Sequence, residues 1–198
     1  MFDKLKQQVK TASRIKHNVC LIGILKNMPK FGTVLDAGCK DGIYQKYINF
    51  KKIESIDIDK NSNADVIGDL HDKKLLKDKH YNFILLTQVL EHCYNPTQVI
   101  DNLHKSLKKG GILLVSTPFF YRFHPDPNDY YRYTPDAYKY FFKKWQSFEI
   151  IPYGNFIDCI ITILEKEVKV FYLLNIFSYL FKFTSMKTPA GYIVIAKK

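Results

Sequence analysis

Three acids and two glycines mark where a ligand could be held. Asp36 ends an apolar run, and Gly38 and Gly42 follow it at GxxxG spacing with Lys40 between them. A phosphate-binding dinucleotide turn would read GxGxxG, and a carboxylate beside the turn would repel a pyrophosphate. It suits instead a ligand that carries an amino group and a positive centre. Asp57 lies 21 residues after Asp36, about the offset at which an acid takes ribose hydroxyls in alternating α/β folds. Asp69 comes after the next short apolar run, where a carboxylate can accept from the exocyclic amine of a base. Lys40 stands where glycine would be favoured for close approach or a positive φ; a lysine is accommodated there if its side chain points outward, at a cost in strain or affinity.

A second group of residues suits proton and anion chemistry. The stretch TPFFYRFHPDPNDYYRYTP, residues 117–135, holds seven Phe and Tyr residues together with Arg122, His124, Asp126, Asp129 and Arg132. Its prolines stiffen it as a loop. His124, with an ordinary pKa of about 6.5, is the first candidate for a base that takes a hydroxyl proton, a contribution of about 10²–10⁴-fold. His92, in LEHC, is the second. Asp129 and Arg132 are read beside them as an anion clamp or a structural pair.

The elements that must position these residues alternate. Apolar residues at helical spacing predict a helix within 3–27. TVLDAG, IESIDID, ADVIGD, YNFILLT and ILLVSTP read as five strands, and FEIIPYG and GYIVIAKK as two more. Helices are expected over 42–50, over 96–109 with Gly110 and Gly111 as the stop, and from the cap Thr134 and Pro135 through Trp145. The alternation predicts an α/β fold: a doubly wound, mostly parallel seven-stranded sheet with helices on both faces and a helical insertion before the last strand. Ligands of such sheets sit beyond the carboxyl ends of the strands, where the strand order reverses. The chemistry therefore belongs to the loops after strands one, two, four and five.

The 198 residues are expected to form a single domain. It divides into an N-terminal helix (1–30), a cofactor-binding core with its substrate loop (31–154), a helical lid (155–187) and the last strand (188–198). A net charge of +11 fits an anionic partner, nucleic acid included, or a solvated lysine surface. The four cysteines form no CxxC pair, which argues against a zinc ribbon or disulfide framework and for a reducing compartment. The amino terminus has no signal-peptide core, and the expected location is cytoplasmic. The run VFYLLNIFSYLF is too short for a bilayer span of about 20 residues, so 155–187 is read as a lid, with a dimer face or a peripheral membrane contact as alternatives.

Along residues 31–146, VLDAGCKDG, SIDID, IGDLHD, YNFILLTQVLEHCYNP and LKKGGILLVSTPF occur in order. This set resembles the class I S-adenosylmethionine-dependent methyltransferases, in particular the small-molecule methyltransferase type 11-like group. The three acids by themselves describe S-adenosylmethionine better than NAD or ATP, and the resemblance implies the same cofactor. Carried over by position, Asp36, Gly38 and Gly42 would line its methionine side, Asp57 and Ile58 hold its ribose, Asp69 and Leu70 meet its adenine edge, and Thr87 and Gln88 line the cleft. HPDPNDYYRYT resembles a segment of methyltransferases encoded alongside surface-glycan synthesis genes. The implied function is O-methylation of a small-molecule or glycan hydroxyl, with catalytic roles for His124, His92, Asp129 and Arg132. Methylation of an RNA 2′-hydroxyl or of tRNA, and a catalytically degenerate cofactor-binding partner subunit, remain open alternatives. In methyltransferases of the terminal 2′-hydroxyl of small RNAs, the fourth-strand motif supplies metal ligands. That resemblance leaves Glu91, His92 and Asp129 as a partial set, with Gln88 in place of a charged ligand, and no metal is assigned.

Overall fold

Strand pairing follows the hydrophobic pattern. The computed structural model describes residues 11–167 and 184–198. They form α1 (Ala12–Lys26), β1 (Phe31–Ala37), β2 (Phe50–Asp57), β3 (Val66–Ile67), β4 (Tyr81–Thr87), α2 (Pro96–Ser106), β5 (Leu107–Pro118), α3 (Pro135–Phe142), β6 (Ser147–Tyr153), α4 (Phe156–Glu167) and β7 (Gly191–Lys197). The strands build one seven-stranded sheet in the order β3-β2-β1-β4-β5-β7-β6. β7 runs antiparallel to β5 and β6, and the other pairings are parallel. This is the doubly wound, mostly parallel sheet that the alternation predicts, with the order reversing between β1 and β4.

Because successive side chains of a strand point to opposite faces, each central strand feeds two cores. Leu35, Ile84, Leu86, Leu113, Val115, Tyr192 and Val194 face one layer with α2 and α3. Val34, Phe83, Leu85, Leu114 and Ile193 face the other, with Leu21 and Leu25 of α1 and Cys159 of α4. A sheet covered on both faces reads as continuous apolar runs rather than alternation, which is why YNFILLT and ILLVSTP look uniformly hydrophobic.

Four boundaries differ from the sequence reading. The helix expected over 42–50 is only a 3₁₀ turn, Gln45–Tyr47, and β2 begins at Phe50. Tyr44 and Ile48 have helical spacing, but the backbone at Ile48 is already extended, and Phe31 bonds back to the Asn49 carbonyl, so pairing with β1 claims the segment. The helix expected over 96–109 ends at Ser106 because Leu107 pairs with Tyr81 across a register shift, drawing Gly110 and Gly111 into β5. α3 begins as expected, with Thr134 Oγ1 accepting from Ala137 N–H, but it stops at Phe142 rather than Trp145. Residues 184–187 of the expected lid are not helical, and 168–183 lie outside the described residues. The described part of that segment, α4, packs on α1 through the Ser13–Thr162 hydroxyl pair at 2.7 Å. Among the described residues no helix is long and apolar enough to cross a membrane.

Phe83 is fully buried and stacks on Phe31, with ring centroids 4.6 Å apart. Phe83→Ala is expected to lower unfolding stability by about 3–5 kcal/mol, measured by denaturant titration. A loss below about 1 kcal/mol would show that this layer repacks freely.

Candidate functional site

At the carboxyl ends of the strands lies a cleft of about 650 Å³. The turn after β1 forms one wall, with Gly38 at φ +72° and Lys40 at φ +48°. A Cβ on Gly38 would stand 2.2 Å from Val89 Cγ2, so the turn and the loop after β4 approach closely only because that residue is glycine. Lys40 adopts the left-handed conformation without being glycine, at a cost of about 1–2 kcal/mol. Asp57 helps to hold it there. One carboxylate oxygen accepts from Lys40 N–H at 2.6 Å and the other from Asp59 N–H at 2.9 Å. A carboxylate has about four lone-pair sites, so Asp57 keeps acceptor capacity towards the cleft. The Lys40 side chain lies along the cleft mouth, where its Nζ meets Asp126 Oδ2 at 3.2 Å.

The cleft brings together Gly38, Asp57, Ile58, Asp69, Leu70 and Gln88 of the expected cofactor residues, and His92 of the expected catalytic ones. Ile58 is exposed (54 %) and offers the cleft an apolar surface. Asp69 Oδ1 accepts from His71 Nδ1 at 2.6 Å, and the His71 ring stacks on Tyr94 with centroids 3.9 Å apart. Sequence reasoning passed over His71 and Tyr94, although the IGDLHD and LEHCYNP segments contain them. Asp36, Gly42 and Thr87 lie beside the cleft rather than on its wall. Asp36 is buried (3 %) and accepts one hydrogen bond, from Gln45 Nε2 at 3.0 Å. Burial pushes its pKa up to about 6, against the Gln45 bond, and the nearby Asp57 charge adds to the rise.

Gln88 also holds a left-handed backbone, φ +56°. Its N–H bonds Ser116 O at 2.7 Å. It is the wall that the cleft shares with a smaller hollow of about 60 Å³ lined by Arg14, His17, Tyr121, His124 and Tyr153. His17, on α1, is fully buried, with Nε2 at 2.8 Å from Ser116 Oγ. Burial and the Arg14 charge lower its pKa to about 3, so its ring is neutral. The contribution of α1 was missed from sequence. Its one signal is that Arg14 is one of only three arginines in a lysine-rich chain, the others being Arg122 and Arg132.

The loop after β5 is tied by an ion pair. Arg132 grips both Asp129 oxygens, at 2.5 and 2.7 Å, and donates to the carbonyls of Tyr131 and Arg122. The bond from Arg132 holds the Asp129 pKa down at about 2. The Asp129 side chain is 1 % exposed, and neither residue reaches the walls of the cleft or the hollow. His124 is held by its own N–H on Asp129 Oδ2 at 2.9 Å, and burial lowers its pKa despite the Asp129 charge. Its ring meets His92 edge-on at 5.1 Å. His92 Nδ1 bonds the carbonyl of Asn128, and the Glu91 carbonyl accepts from Tyr130 N–H. Glu91 itself is fully buried, which raises its pKa to about 8.

The donor set fits S-adenosylmethionine: a glycine-dependent approach, a carboxylate with free lone pairs at the end of β2, and a buried acid whose pKa falls back when a cation is near. A family profile for a methyltransferase domain matches residues 10–162. The fold is similar to a SAM-dependent methyltransferase from Archaeoglobus fulgidus, at 15 % identity and TM-score 0.63, over 100 % of this chain and 99 % of that one. It is similar to a SAM-dependent methyltransferase from Thermotoga maritima, at 12 % identity and TM-score 0.65, over 94 % and 91 %. The plantazolicin methyltransferase BamL, solved with SAH, aligns at 18 % identity and TM-score 0.57, over 100 % and 88 %. No curated protein matches the sequence.

The buried Asp36 carboxyl generates a pH prediction for the ligand-free protein. Its pKa is about 6 in the folded chain against an ordinary 3.8, so its contribution to stability is full below about pH 4 and is lost as pH rises through about 6. Asp36→Asn, which still accepts from Gln45, should match wild type near pH 4. It should become more stable by on the order of 2–3 kcal/mol above pH 6. A pH-independent difference in melting curves would remove the assigned shift.

Proposed function

Because the chain belongs to the class I S-adenosylmethionine-dependent methyltransferases, we propose that it O-methylates a hydroxyl of a small molecule or glycan, with cofactor in the cleft and the acceptor's reacting hydroxyl directed at the adjoining hollow. The observation that carries this reading is the shared wall at Gln88, which separates an acid-bearing cleft from a hollow with no carboxylate among its lining residues. Among its described lining residues Arg14 is charged and none is acidic, so the hollow disfavours an ammonium, while its hydroxyls, imidazoles and aromatic rings suit a polyol or phenol. Phe120, Phe123, Tyr130 and Tyr131 of the same loop are exposed, a surface that matches the apolar faces of a sugar.

S-adenosylmethionine, when bound, supplies a methyl group already activated on a sulfonium, so the residues mainly position. In this reading Asp57 accepts from the ribose hydroxyls, Ile58 and Leu70 pack against the nucleoside, and Asp69 with the His71–Tyr94 stack borders the adenine. Gly38 faces the methionine end with the buried Asp36 beside it, and an approaching amino group favours the ionised form of Asp36, lowering its raised pKa. Gln88 and Thr87 form the boundary to the acceptor. His92 and His124 border the acceptor hydroxyl, while Asp129 and Arg132 hold the loop that carries His124.

Asp57→Ala is expected to weaken S-adenosylmethionine binding by about 1.5–3 kcal/mol in calorimetry, and unchanged affinity in a folded variant would remove the ribose assignment. Lys40→Gly should bind the cofactor equally well or better. With labelled cofactor and a panel of oligosaccharides, sugar nucleotides, small phenols, amines and tRNA, the product should carry its methyl on oxygen of a sugar or phenol. Transfer only to amines or RNA would overturn the acceptor class. His124→Ala should then lower kcat about 10²–10⁴-fold with cofactor affinity intact. Reduced thermal stability with normal turnover would instead make His124 a packing residue.

A further inference from the structure

One carboxylate beside the site lacks a close side-chain partner. Glu91 is fully buried, and among the described residues neither of its side-chain oxygens meets a hydrogen-bond partner. Buried polar atoms are nearly always bonded, and an exception calls for a physical reason such as a bound ion. One oxygen of Glu91 and one ring nitrogen each of His92 and His124 lie within 4.8 Å of one another.

The rings are set up to offer lone pairs. His92 Nδ1 bonds the Asn128 carbonyl, while its Nε2 is 3.9 Å from Glu91 Oε1. His124 Nδ1 lies 3.1 Å from the Arg122 carbonyl and 3.1 Å from Asp129 Oδ2. Arg132 Nη2 also lies 3.3 Å from Nδ1, but the two oxygen acceptors are nearer, and with the proton on Nδ1 they leave Nε2 as the ring's lone-pair donor. A ring nitrogen bonded to a carbonyl or carboxylate is the support that metal-binding histidines almost always have.

We propose that Glu91, His92 and His124 bind one divalent first-row transition-metal ion. Two imidazoles and a carboxylate are donors of the kind such ions take, with positions left open. Ligand distances of about 2.1 Å require the three atoms to draw together by about 1 Å, within the reach of side-chain rotation. Asp129, the third ligand suggested by sequence, is not available, because Arg132 holds both of its oxygens. The triad joins the two hollows, since His92 lies on the cleft and His124 on the acceptor side. On the reading that the hollow takes a hydroxyl, the open positions receive the acceptor oxygen and polarise its O–H bond. The proton passes to water as the oxygen–methyl bond forms and the carbon–sulfur bond breaks with its electron pair left on sulfur.

The test reads binding rather than turnover. Protein stripped with EDTA and dialysed against manganese chloride or zinc chloride should retain one ion per chain by elemental analysis. Glu91→Gln and His124→Asn should each weaken retention at least about tenfold, with S-adenosylmethionine affinity unchanged in calorimetry. Two variants are used so that one failing to fold does not end the test. Substoichiometric uptake of both ions by wild type, or wild-type retention by either folded variant, overturns the site. Such a failure leaves the O-methylation reading standing. One-ion binding without transfer to any hydroxyl would support the site and sink that reading.

Discussion

A parallel sheet buried on both faces has one place for polar chemistry, and the rest of the structure depends on that constraint. Six of the seven strands send apolar side chains into two helical layers, so a charged group there would lose its hydration with no return. The acids and histidines of the cleft sit where the strands end. At that edge, backbone N–H groups no longer belong to the ladder. Asp57 takes two of them, and that tie fixes the separation of the turns after β1 and β2. The cleft is the gap the tie leaves open.

The loop after β5 is ordered by a different means. A proline-rich segment of this length contributes little hydrogen bonding of its own, and ordering it costs on the order of 1–2 kcal/mol per residue in backbone entropy. Its fastening is a planar guanidinium on both oxygens of a carboxylate buried to 1 % exposure. Arginine is the side chain for a two-pronged bond of this kind, and lysine is not its equivalent. In a chain with 30 basic residues, arginine is used only at Arg14, Arg122 and Arg132, on α1 and on this loop. The lysines set the net charge, while Arg132 sets the geometry of the loop.

How much of this was legible in the sequence depends on range. Buried strands read well because burial on both faces leaves a run that local pattern alone identifies: YNFILLT matches β4 residue for residue. The acids of the cleft were legible from their offsets, since a strand and its following turn place them whatever the rest does. Boundaries failed where a distant partner decided them. Residues 42–50 have a helical pattern, yet β1 recruits Phe50 into β2, and Tyr81 extends β5 back past its glycines. Pairing across the chain outweighs local propensity. The hollow was the least legible part, because His17 and Arg14 come from a helix whose relation to the loop after β5 exists only once the sheet has formed. His124 was noticed in sequence, but its neighbours Glu91 and His92 are more than thirty residues away.

Gln88 carries one more consequence. It holds a left-handed backbone without being glycine, a state that persists only where the surroundings over-determine it. Its side chain reaches Ser116 Oγ at 3.4 Å and the Tyr153 hydroxyl at 3.5 Å, both long contacts. A residue so placed is stiff in its main chain and loose at its tip. Gln88 lines both chambers, so a ligand that displaced its side chain from one would reshape the other. Two ligands acting in that way would be heterotropically linked, and linkage is reciprocal: whatever factor the first applied to the second, the second would return to the first.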